Sequence, residues 1–168
     1  MIVFKRNNFI YRVYAWLPIL LLYFSVLNEF DFNYLNLKYF SLNFPFILIF
    51  FFTLKEFKNF DYFLVFIAGL INDTVVGLPL GISSLSYTLI CIATSYFRNI
   101  TIRPNPIKDW FYFLFIISLI SSINYSILTL FFSFNLILAS YLINIFFTFL
   151  FYIIFVYIFN YYLKSLND

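Results

Sequence analysis

The chain has no histidine, a single cysteine, three glycines and very little charge. Without histidine it lacks the commonest general base and metal ligand. One cysteine excludes an internal disulfide and any cysteine-cluster metal site. Cys91 has no base or cation beside it in the sequence, so it reads as a small packing residue and not as a nucleophile. Asp, Glu, Lys and Arg make up 10% of the residues, against roughly a quarter in a soluble domain. The net charge of +3 is too small to point to nucleic acid. The sequence therefore predicts no enzyme, no cofactor and no metal site.

What is present is apolar: 64% hydrophobic residues, with 28 Phe and 15 Tyr. In water such a chain would expose large aggregating patches; lipid accepts apolar side chains on every helix face. The apolar runs 14–27, 62–71, 81–97, 110–130 and 136–159 carry few or no charges, and a membrane-spanning helix needs about 20 such residues. Strands of a membrane barrel would alternate apolar and polar residues, whereas 145–151 is apolar in both phases. Lys5, Arg6 and Arg12 precede the first run as in a signal sequence. The run continues into Asn28-Glu29-Phe30-Asp31 and not into a small-residue cleavage site, so a retained first helix is expected. The weighting toward Phe, Ile, Asn, Tyr and Lys is that of a low-GC gene, so aromatic clusters read as lipid-facing bulk and not as ligand cages.

The expected fold is an all-α membrane protein, one domain over 1–168, with about six transmembrane helices in a single bundle. They are placed at about 10–28, 40–54, 60–76, 80–98, 109–131 and 136–163. The second is the weakest, and must either extend back through Pro45 toward Lys38 or be short and tilted. With this count Lys5, Arg6, Arg12, Lys55, Lys58, Arg98, Arg103, Lys108 and Lys164 fall on one side, and only Lys38 on the other. The positive-inside rule then puts both termini in the cytoplasm. Trp16 and Trp110 sit near cytoplasmic ends, and Pro104-Asn105-Pro106 is expected to hold the loop before helix 5 extended.

All three glycines fall within thirteen residues. Gly69, Asp73 and Gly77 are spaced i, i+4, i+8 and share one face of helix 3. Gly77 and Pro79 make the turn, and Gly81 opens helix 4. That helix carries Gly81, Ser84, Thr88, Cys91 and Ser95 at intervals of 3, 4, 3 and 4. Such a seam of small residues lets membrane helices approach closely; it is expected to face helix 3, so that Gly81→Leu would force the helices apart. Ser118, Ser122, Tyr125 and Thr129 on helix 5, and Ser140, Asn144 and Thr148 on helix 6, are expected to point into the bundle. Asn124 and Asn144 read as interhelical glue. Asp73, twelve residues past Asp61, is the only acid deep inside an expected span, and an intramembrane carboxylate needs a reason. It can fix the hairpin by bonding to Asn72, Thr74 or the free amides at the start of helix 4. A proton or substrate role would require a second buried acid, His or Lys as a relay; a contact with a partner is the third reading. As a cap it should tolerate Asp73→Asn.

Residues 68–81 resemble the hallmark of the MreD family, the rod shape-determining membrane proteins of bacteria. The pattern G-L-x-x-D-x-x-x-G-x-P-L-G is met by Gly69, Leu70, Asp73, Gly77, Pro79, Leu80 and Gly81. Length, the basic N-terminus, the proline-led second helix at Phe44-Pro45-Phe46 and the basic Phe97-Arg98-Asn99 fit as well. The likeness is specific over 44–99. It departs before helix 3, where many members carry Arg-Pro and this chain has Lys55-Glu56-Phe57-Lys58-Asn59. The resemblance implies a non-catalytic inner-membrane scaffold of the cell-elongation complex, acting in cell shape and lateral peptidoglycan synthesis. Its implied partners are an MreC-like protein, the MreB cytoskeleton and the peptidoglycan glycosyltransferase–transpeptidase pair. The family also resembles the six-helix substrate-binding subunits of energy-coupling-factor vitamin transporters, which supply the alternative function. Those subunits usually dock their partner through Ala-x-x-x-Ala on helix 1; here Ala15 is followed by Ile19.

Overall fold

The computed structural model describes residues 9–27, 42–57, 59–101, 105–134 and 137–167, with side chains from Ala15 to Lys164 within them. Most of the expected outer loop (28–41) lies outside the described residues, as do Lys5, Arg6, Lys38, Lys58, Arg103 and the side chain of Arg12. The described residues form six α-helices and no strand: α1 (Phe9–Leu27), α2 (Phe44–Leu54), α3 (Tyr62–Val76), α4 (Ile82–Ile100), α5 (Pro106–Phe132) and α6 (Leu138–Asn167). Two of them, over Pro106–Phe132 and Leu138–Lys164, are long and apolar enough to cross a membrane.

Local chemistry sets the ends. Asp61 caps α3 by accepting from the Phe63 amide, and Asn105 caps α5 by accepting from the Ile107 amide. Pro106 is thus the first residue of α5, three residues before the expected start. Of the proline segment, Pro104 lies outside the described residues, Asn105 is extended and Pro106 is already helical, because proline at the first helical position loses no hydrogen bond. Helices α2, α3 and α5 end alike. A left-handed residue (Glu56, Gly77, Ser133) lets the next amide reach back past the last turn: Phe57 to the Phe52 carbonyl and Leu78 to Asp73, five residues each, and Phe134 to Leu128, six residues. Only Gly77 is the residue type that adopts this conformation without cost.

Helix α2 begins at Phe44 and does not extend back toward residue 40. Its 11 residues cover about 16 Å at 1.5 Å per residue, short of the roughly 30 Å hydrocarbon thickness. It is nonetheless the centre of the fold. Helices α1, α3, α4, α5 and α6 follow one another as neighbours, and α2 packs against α1, α4 and α6. Ile47 through Phe52 are all buried. A helix apolar on every side belongs where every side is covered. Phe50 meets Phe113 and Tyr152 at ring distances of 5.0 and 5.6 Å, and Phe52 meets Phe159 at 5.3 Å. The C-terminus of α2 is tied to α4 by Arg98, which donates to the Thr53 carbonyl at 3.0 Å and pairs with Glu56 at 3.5 Å.

Candidate functional site

The residues that stand out in the sequence meet where α3 turns into α4. Gly69 is buried, and a Cβ placed there would lie 2.3 Å from the Ser84 Cα and 2.6 Å from the Ser84 amide nitrogen. Carbon atoms pack at about 3.5–4.0 Å, so only glycine lets the two backbones come this close. One turn further along α3, Asp73 is fully buried. Its Oδ2 accepts from the Gly81 amide and its Oδ1 from the Ser83 amide, both at 2.8 Å. These are orphan donors at the start of α4, which has no side-chain cap of its own. A carboxylate from the preceding helix caps it, with the sign the helix dipole favours. The backbone carbonyl of Asp73 meanwhile accepts from Leu78 at 2.9 Å and closes α3. Asp73 therefore fastens both helix ends that flank the turn. Asn72 bonds across the same junction by donating to the Ser83 hydroxyl at 2.8 Å, whereas Thr74 bonds back to Ile71 within α3.

The other motif residues divide by cause. Gly77 and Gly81 have φ of +72° and +108°, and a Cβ at either would meet nothing within 4 Å. Gly81 is required by backbone conformation and not by close packing. This corrects its expected place in the seam: the close approach belongs to Gly69. Pro79 accepts from the Ile82 amide in the turn, at 3.4 Å, and Leu80 projects outward, 72% exposed. The α4 seam does not face a single neighbour. Ser84 lies against Gly69 of α3, Cys91 lies 3.7 Å from the Thr53 hydroxyl of α2, and Ser95 bonds to the Tyr62 hydroxyl of α3. Thr88 bonds back to the Ser84 carbonyl. The seam thus lies in the groove between α2 and α3.

On α5 the expected stripe is only half inward, with Ser118 and Ser122 exposed and Tyr125 and Thr129 half-buried. The buried serine is Ser121. On α6 Thr148 is buried and accepts from the Asn43 amide at 3.0 Å, Asn144 is half-buried, and Ser140 is exposed. Asn124 accepts from the Ser86 hydroxyl at 2.9 Å and joins α5 to α4. Sequence reading missed Tyr87, which is buried beside this junction, 5.9 Å ring to ring from Phe46. Among the described residues no three metal-ligating side chains gather. Both Asp73 oxygens are occupied by amides, so the arrangement is that of a clasp.

No protein-family model matches the chain, and no curated protein or solved structure proved similar to it.

Proposed function

We propose that the chain is a multi-pass protein of the bacterial inner membrane, with both termini in the cytoplasm. In this reading it is a non-catalytic, MreD-like scaffold of the cell-elongation complex that acts through an MreC-like partner. The observation that carries the reading is the use made of Asp73. In the motif shared with that family the buried carboxylate is spent on two backbone amides. Its value is then the shape of the hairpin, as befits a protein that works by presenting a surface. The outward side chains support a lipid setting. Leu130, Phe131 and Ile137 are at least 70% exposed, an arrangement water would penalise.

Two measurements test the proposal. Externally added thiol reagent should reach single cysteines placed in 28–43 and miss Arg103→Cys; labelling of the latter from outside would overturn the six-span topology. Purification of the tagged protein in mild detergent should bring down an MreC-like protein. Co-purification of a transporter ATPase in its place would support the vitamin-transporter alternative.

A further inference from the structure

Next to the clasp a cavity of about 400 Å³ opens at the end of the bundle opposite Arg98, within the roughly 300–1,000 Å³ range of small-molecule sites. Its lining draws on four asparagines from separate parts of the chain, Asn43, Asn72, Asn124 and Asn144. Among the described residues no charged side chain lines it. Apolar walls come from Phe44, Phe46 and Leu128.

The polar groups are held and yet not used up. Ser83 and Ser86 sit one turn apart on α4. Ser83 takes the amide nitrogen of Asn72 from α3, and Ser86 takes the carbonyl of Asn124 from α5. Each asparagine is thereby fixed through one side of its amide. Among the described residues the Asn72 carbonyl and the Asn124 amino group have no protein partner. Tyr87 is 2% exposed, lines the same cavity, and its hydroxyl likewise meets no protein hydrogen-bond partner among the described residues. The three groups line the cavity and are not sealed in the protein interior, so a molecule held there can bond to them. An acceptor, a donor and a hydroxyl lining one cavity together with apolar side chains, with no charged side chain among the described residues, match a ring that carries an N–H beside a C=O.

We propose that this cavity binds a small uncharged cyclic amide, fixed through Asn72, Asn124 and Tyr87. The proposal goes beyond the shape-determining reading and does not depend on it, since it is tested on the pure protein without partners. The probes are uracil and thymine, with orotate as the same ring bearing a carboxylate. Thermal unfolding of the protein in lipid nanodiscs is followed as each is titrated. Uracil or thymine should raise the midpoint saturably, and orotate should not, because among the described residues no cation lines the cavity to offset the desolvated charge. Tyr87→Phe, which keeps the ring packed on Phe46, should raise the half-saturating concentration by about tenfold, the scale of one lost hydrogen bond. Asn124→Leu should abolish the response. No saturable response to either neutral probe, an equal response to orotate, or a response unchanged in the two variants would each overturn the proposal.

Discussion

Gly69→Leu should be the most damaging single substitution in this chain, and Gly69→Ala should already be harmful. The added Cβ would lie 2.3 Å from a backbone atom of α4, which has no rotamer by which to move aside. Relief requires α4 to shift as a body. Overpacking of this kind costs roughly 1–3 kcal/mol, occasionally more. Here the shift also withdraws the Gly81 and Ser83 amides from Asp73, so leucine should lose the clasp as well. Gly81 makes the control. Its surroundings are open but its φ is +108°, so alanine and leucine should cost alike, about 1–2 kcal/mol for the left-handed backbone. Thermal midpoints of the four variants at matched lipid content would test this. A loss that grows with side-chain size at Gly81 and not at Gly69 would refute the packing account.

The hairpin was legible in the sequence because helical periodicity is enough to put Gly69, Asp73 and Gly77 on one face. Which glycine serves packing and which serves conformation was not, since spacing reports faces and says nothing of φ. The seam of α4 was legible as a stripe of small residues, but its division between Thr53 of α2 and Gly69 and Tyr62 of α3 depends on where α2 lies. The central place of α2 was hidden for a related reason. A run such as Phe46–Phe52 has no polar face, so it gives no direction, and its shortness reads as weakness.

Serine misled on α5. A helical serine can satisfy its hydroxyl on the carbonyl one turn back, as the exposed Ser126 does on Ser122 at 2.9 Å. Its presence therefore does not mark an inward face. The cavity was out of reach altogether. Its asparagines stand at 43, 72, 124 and 144, and no local spacing relates them.

Asp73 offers the sharper chemical test, and the geometry changes what the sequence led one to expect of it. Read as a generic cap, Asp73 should tolerate asparagine. The structure gives it two donors, one on each oxygen. Asparagine supplies a single carbonyl oxygen; its amino group would confront the second N–H as donor against donor. It also removes the charge that makes such bonds stronger than neutral ones. Asp73→Leu removes both acceptors and strands two amides, at about 1–3 kcal/mol for each group left unpaired. The expected order of stability is therefore Asp above Asn above Leu, with Asn clearly impaired. Asp73→Glu should not substitute freely for Asp either, because the extra methylene must fit where Asp73 is 0% exposed. Thermal midpoints of the purified variants give the order directly. Complementation of a shape-defective strain at matched expression should follow the same order if the hairpin is what partners read. A fully stable Asp73→Leu protein would refute the clasp. Asp73→Asn and Asp73→Leu proteins that are equally well folded and equally unable to restore rod shape would assign the carboxylate a role in charge and not in structure.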